Sequence, residues 1–258
     1  MKRVKNFGVA AMSFFLCALC VIPFAYVLVS SFQNAEGGMT LKYYYGVFIG
    51  QSQYLLRFWK SMGLSLCIAA GQVAVSALAG YGFAKFRFPG KNILFFLLMI
   101  LMVLPLQVTL MPNYIVLEKV GLLDTYKALA LPAIILPLGT FIMTQSFRAI
   151  PQSVIEAAQL DGCYLPGLLL RVVLPMNRNA LICTFLLSFL DAWNLVEQPI
   201  TYLKNFTDYP IAVALASVPP GDATVLLTCC VLVTLPPLFL FAFFNQELTE
   251  GIALGGEH

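Results

Sequence analysis

The stretch Ser153-Val154-Ile155-Glu156-Ala157-Ala158-Gln159-Leu160-Asp161-Gly162, followed further on by Leu174-Pro175, decides how this chain is read. It is a polar, charged segment lodged between long apolar runs. Pro151-Gln152-Ser153 followed by Glu156 predicts a capping box, with Ser153 as N-cap and Glu156 reaching back from the third helical position. Gly162 is a natural helix terminator. The helix between them runs about two turns, on the order of 12 Å at 1.5 Å per residue. A second short helix is expected to start near Pro166, a favoured first-turn residue, and to stop before Pro175. Ala157 and Ala158 leave one face of the first helix almost bare. A short bare helix on a stalk outside the membrane fits another protein's cleft. Taken singly, Glu156 as a plain cap and Asp161-Gly162 as a plain turn remain open alternatives.

The surroundings of that stretch belong to a membrane. The chain is 60% apolar and only 10% charged, far from the composition of a soluble domain. Uncharged, largely apolar stretches cover 6–35, 61–84, 92–117, 128–147 and 223–246, each near or above the roughly 20 residues that a helix needs to cross a hydrocarbon core. A sixth, near 179–203, is interrupted by Asp191 and Glu197. The expectation is a single all-α membrane domain over 1–258. Its six spans lie at about 7–32, 61–84, 92–113, 127–147, 179–200 and 223–245, with a loop over 150–178. Lys2, Arg3 and Lys5 make a basic start, but the first apolar run exceeds the roughly 7–15 residues of a signal segment. It reads as a retained helix.

Basic residues give the orientation. With the N-terminus inside, Lys2, Arg3, Lys5, Lys85, Arg87, Lys91, Arg148, Arg171 and Arg178 face the cytoplasm. Lys42, Arg57, Lys60, Lys119, Lys127 and Lys204 face outward. The split is nine against six of the 15 basic residues, with the bias close to span ends, where it counts. Both termini and the 150–178 loop are then cytoplasmic. The net charge of +3 follows from this asymmetry and gives no reason to invoke nucleic acid. Cys17, Cys20, Cys67, Cys183, Cys229 and Cys230 lie in apolar spans, where cysteine acts as a small hydrophobe, and Cys163 lies on the cytoplasmic loop. With His258 the sole histidine, neither a metal site nor histidine-based catalysis is expected.

Along the chain, Tyr43-Tyr44-Tyr45 and Trp59 read as an outer interface belt. Ser76, Gly80 and Ala84 form a small-residue track that lets helix backbones approach, within the bundle or in a dimer. Pro105, Pro112, Pro132, Pro137 and Pro236-Pro237 are expected to kink their spans. Asp191, Asn194 and Gln198 fall on one face of a fifth helix. An ionisable residue at membrane depth is a functional hypothesis by default. Asp191, Asn194, Gln198 and the neighbouring Trp193 are therefore candidates for the lining of a path, with Trp193 as a belt residue and Glu197 at the outer interface as the alternatives.

The Glu156-Ala157-Ala158 segment, with Asp161-Gly162 and Leu174-Pro175 after it, resembles the cytoplasmic coupling loop of ABC-transporter permeases. Phe83-Ala84-Lys85-Phe86-Arg87-Phe88-Pro89-Gly90-Lys91-Asn92, Pro105-Leu106-Gln107-Val108-Thr109-Leu110, Gly121-Leu122-Leu123-Asp124-Thr125-Tyr126 and Trp193-Asn194 resemble, in order, segments of carbohydrate-type permeases. The likeness runs from about residue 58 to 200 and is nearest to the second-subunit type of maltose permeases. It departs at Leu195-Val196 and in the tail, where Glu257-His258 replaces the usual ending.

The resemblance implies a type I ABC importer membrane domain with six transmembrane helices and a cytoplasmic coupling helix, in a bacterial or archaeal cytoplasmic membrane. It implies coupling to the ATPase through Ser153, Glu156, Ala157, Ala158, Asp161, Gly162, Leu174 and Pro175. The implied partners are a second permease subunit, a dimer of ATP-binding subunits, an extracytoplasmic solute-binding protein and the surrounding lipids. The implied cargo is a sugar or oligosaccharide, with a polyol or glycerophosphate as the alternative. No cofactor is expected on this chain, since ATP and Mg would be used by the partner ATPase; no G-x-x-x-x-G-K-[ST] phosphate loop occurs in it. The outer loop over 200–222, with Pro219-Pro220-Gly221-Asp222, is expected to meet the binding protein, the alternative being a plain connector. A gradient-driven secondary carrier is the rival class. Such carriers usually carry repeated halves and several intramembrane charges, and neither is legible here.

Overall fold

Backbone that must satisfy its own hydrogen bonds in hydrocarbon folds as helix. The computed structural model describes residues 2–33, 38–47, 52–216 and 223–256. Among these the regular elements are all helical, beside one isolated antiparallel bridge between Gln33 and Met39. The chain opens with α1 (Lys2–Ser31), a short α2 (Lys42–Tyr45) and the long α3 (Ser52–Lys85). Next come α4 (Lys91–Val103), α5 (Leu106–Lys119), α6 (Tyr126–Ile134) and α7 (Pro137–Arg148). The loop region holds α8 (Gln152–Leu160), α9 (Leu165–Leu168), a π-helical turn over Leu169–Val173, and α10 (Leu174–Met176). The remainder is α11 (Arg178–Trp193), α12 (Glu197–Tyr202), a 3₁₀ turn at Phe206–Asp208, α13 (Ile211–Ala216) and α14 (Ala223–Gly256). Pro219, Pro220, Gly221 and Asp222, expected to meet a binding protein, lie outside the described residues.

Tyr54–Lys85, Tyr126–Arg148 and Thr224–Thr249 are each long and apolar enough to cross a bilayer. Counting each bent helix pair as one crossing raises the number to five, so the chain is a multi-pass membrane protein. The kink expected at Pro105 in the third apolar run is a bend of 108° between α4 and α5. Pro105 has no N–H to continue α4, and it holds Leu104 in extended backbone (ψ 127). The fifth apolar run, expected over 179–200, is broken as a helix, since α11 ends at Trp193 and α12 begins at Glu197. Asn194 donates its side-chain amide to the Leu190 carbonyl at 2.9 Å. A continuing helix would drive the ring of Pro199 into the carbonyl of Leu195. In α14 the backbone leaves helical geometry at Phe244 (φ −123, ψ 24) rather than at Pro236-Pro237.

The core forms where α3 packs on α7 and α11, while α11 packs on α14 and α14 on α1. The small-residue track serves this internal packing. A Cβ on Gly80 would sit 2.6 Å from the Cβ of Met143, and one on Gly139 would strike Ser76 and Thr184. Around this contact lie buried Tyr81, Phe147, Val173 and Cys183. Large apolar side chains such as Phe96 on α4 and Phe239 and Phe243 on α14 point outward, as suits a surface solvated by lipid rather than water. Of the expected belt, Trp59 is exposed, whereas Tyr44 stacks on Phe32 at 4.9 Å and shares a 2.7 Å hydrogen bond with Ser31 Oγ.

The segment after α11 is folded down onto the bundle. Lys60 pairs with Asp208 at 3.3 Å, and Tyr126 donates its hydroxyl to the Asp208 carbonyl at 2.9 Å. The Ile211 N–H reaches Ser61 Oγ at 2.8 Å. Asp124, held at φ 63, receives the Lys204 N–H on its carboxylate and donates its own N–H to the Tyr202 carbonyl, both at 2.9 Å.

Candidate functional site

Two features stand out, one at each end of α11. At its start is the loop from α8 to α10. Here α8 starts directly after Pro151 (φ −59, ψ 139), whose carbonyl accepts the Val154 N–H at 3.1 Å. The expected capping box is therefore corrected: Ser153 sits inside the first turn and no side chain caps the helix. Proline needs no donor and its fixed φ suits a helix entrance, so the helix begins before Ser153 can act. Glu156 is exposed and free of that role.

The C-terminal end of α8 is a Schellman motif. Gly162 stands at φ +83, its N–H reaches the Gln159 carbonyl, and the Cys163 N–H reaches the Ala158 carbonyl, each at 3.0 Å. Only glycine takes that backbone without strain. Ala158 and Cys163 pack inward beside Ile155, which is only 3% exposed, while Ala157 and Asp161 stay outside. The expected bare face is thus half docked. The second helix does not stop before Pro175 but runs from Leu165 to Met176. The π turn over Leu169–Val173 widens the helix just where the Pro175 ring would meet the Arg171 carbonyl. Leu174 is half-buried and Pro175 exposed.

This loop is anchored from three sides. Lys85 Nζ donates to the Ile150 carbonyl at 2.7 Å, just past the end of α7. Ser146 donates its hydroxyl to Asn177, whose side-chain amide donates to the Val173 carbonyl at 2.8 Å. On this rigid base Leu160 and Tyr164 flank Gly162, 89% and 86% exposed. Neither is among the coupling residues that the resemblance implies. A signal was present: Leu160 falls off the stripe that starts at Ile155, so an apolar residue there has no inward face to fill.

At the other end of α11 lies a cavity of about 440 Å³. Asp191, Asn194 and Gln198 all line it, although Gln198 belongs to α12 and not to the same helix. Trp193 does not, and its expected place on the path is corrected. Its ring is 1% exposed, stacked on Phe189 at 5.7 Å and edge-on to Phe58 at 5.5 Å. Its indole N–H donates to the Val233 carbonyl at 3.1 Å. Glu197 is on the lining too, with both carboxylate oxygens taking bonds from Gln107 Nε2 at 3.0 and 3.3 Å. Gln72, Thr109 and Asn113 add polar groups that the sequence reading did not single out. A lone glutamine inside an apolar span was the signal for Gln72.

A membrane bundle with an anchored loop at one end of α11 and a polar hollow at the other matches known proteins along its length. The chain is similar to an arabinooligosaccharides transport system permease protein of Halalkalibacterium halodurans, 27% identical, covering 94% of this chain and 92% of that one. It is also 27% identical to a polygalacturonan/rhamnogalacturonan transport system permease protein of Bacillus subtilis, with 92% of each covered. Its fold is that of a chain in the crystal structure of a bacterial ABC transporter involved in the import of the acidic polysaccharide alginate. The TM-score is 0.84 at 17% identity, over 95% of this chain and 96% of that one. The family model described as binding-protein-dependent transport system inner membrane component matches residues 72–252, from the buried Gln72 through the anchored loop to the last helix. The chain therefore belongs to the binding-protein-dependent transport system inner membrane components.

Proposed function

We propose that this chain forms half of the translocation path of an ATP-driven importer for a sugar or oligosaccharide. The α8–α10 loop transmits motion from a separate ATPase dimer. The observation that carries the coupling role is the pair Leu160 and Tyr164, apolar and almost fully exposed on a turn that is itself locked to the core. Exposed apolar side chains on rigid backbone bind cheaply, because little conformational freedom is lost on docking. In this reading α1, α3, the α4–α5 pair, the α6–α7 pair, α11 and α14 are the six crossings, with both termini and the loop in the cytoplasm. A second permease closes the cavity beside Asp191 and Asn194, and an extracytoplasmic binding protein delivers the solute near residues 200–222. Sugar as cargo is supported by the solutes named for the two permease relatives. Alternating access then follows as rigid-body rocking of the two permeases around the shared cavity.

The test is the double substitution Leu160→Glu with Tyr164→Ser. Both side chains are solvent-exposed, so the protein is expected to insert and melt as the parent does. Co-purification of the ATPase subunits should fall by about tenfold or more, the effect of losing a central docking contact. Full retention of the ATPase would place its docking elsewhere.

A further inference from the structure

We propose that the wall this chain lends to the path selects against anionic solutes, so that the cargo is an uncharged polyhydroxylated molecule such as a neutral oligosaccharide. The inference rests on the reading of the cavity as half of the path, and adds the charge of what passes. Among the residues lining the cavity two are carboxylates, Asp191 and Glu197, and none is Lys, Arg or His. A uronate or phosphate entering would bring like charge to a wall without a cation to meet it, and its lost hydration would go unreplaced.

Hydroxyl groups, by contrast, find acceptors. Gln72 is only 3% exposed and lines the cavity. Its Nε2 donates to the Leu136 carbonyl at 3.3 Å, while its buried Oε1 has no partner among the described residues. That oxygen lies below the surface, so sugar hydroxyls meet the groups on the open lining instead. Asp191 offers carboxylate oxygens to the same kind of group, as a charge-assisted acceptor. Asn113, Asn194 and Gln198 supply both donors and acceptors. Leu106, Leu136 and Val196 give apolar surface for the C–H faces of a pyranose or furanose ring. The cavity is thus built for neutral polar rings.

The charge of this wall is measurable without knowing the solute. In the assembled importer, reconstituted with its permease, ATPase and binding-protein partners, Thr109→Cys places a reporter thiol on the cavity lining. Its modification by a trimethylammonium-ethyl and by a sulfonatoethyl methanethiosulfonate is followed at residue 109 by mass spectrometry. The cationic reagent is expected to exceed the anionic one by about tenfold beyond their ratio on a free thiol, the scale of field focusing in a charged cleft. Asp191→Asn with Glu197→Gln should return the ratio to the free-thiol value, and a Gln198→Cys reporter should repeat the pattern. A free-thiol ratio in the unsubstituted wall, or a preference for the anionic reagent, overturns the proposal. Failure of the path reading has a separate signature, which is reporter reactivity unchanged between nucleotide-free and ATP-locked states.

Discussion

Trp193 donates its indole N–H to the Val233 carbonyl, and that carbonyl is open because Pro237, one helical turn on, has no N–H to give it. One residue of α11 thereby satisfies the defect that a proline leaves in α14. Trp193→Phe keeps most of the packing against Phe58 and Phe189 but leaves the Val233 carbonyl orphaned in a buried, apolar setting. The expected loss is about 1–3 kcal/mol, the range for an unpaired buried polar group, read as a lower melting temperature of the detergent-solubilised protein. An unchanged melt would mean that the bond contributes nothing. Gly162 was legible in the sequence, because a helix that ends in left-handed backbone needs glycine there. Trp193 was not. A tryptophan near a span end reads as belt, lining or core until the carbonyl it meets is known. Ser153 misled for a related reason, as a capping motif counts only if the helix starts at it, and Pro151 starts this one earlier.

At the scale of elements, the apolar runs, their order and the kink at Pro105 were written in the sequence, but which prolines bend a helix and which leave it straight was not. The bend of 108° at Leu104-Pro105 and the end of α11 at Trp193 both arise where a proline meets a competing local hydrogen bond or an extended neighbour. Pro236-Pro237, the same residue type, leaves α14 helical, and Trp193 supplies from outside the donor that Pro237 cannot give to Val233. Composition alone cannot distinguish these cases, since the deciding partner is remote in sequence. The small-residue track was likewise visible, while its partner was not. Gly80 meets Met143 within the chain, where a Cβ would come within 2.6 Å of another Cβ. Gly80→Val must therefore part α3 from α7, at an expected cost of about 1–3 kcal/mol or more for overpacking. The measurement is thermal unfolding in detergent. Because α7 leads directly into the anchored loop, the same variant should lose ATPase association along with stability. A Gly80→Val protein as stable as the parent would show that the close approach is not obligatory.

Across the whole molecule, one design joins the two ends of α11. The loop that presents Leu160 and Tyr164 is locked to the α3–α7–α11 core through Ile155, Lys85 and Asn177, and that core carries Asp191 and Gln72 on the far side. If the loop has the coupling role proposed above, a push on it would reach the cavity wall through packed side chains, as rigid-body coupling requires. On the proposed function, the chain would transport only together with its partners. Reconstitution into proteoliposomes, with uptake of a labelled neutral oligosaccharide as the readout, tests this most directly. The account predicts uptake only when this chain is joined by a second permease, the ATP-binding subunits, a solute-binding protein and internal ATP. Accumulation of the sugar by the isolated chain under a proton or sodium gradient, without ATP or partners, would contradict it.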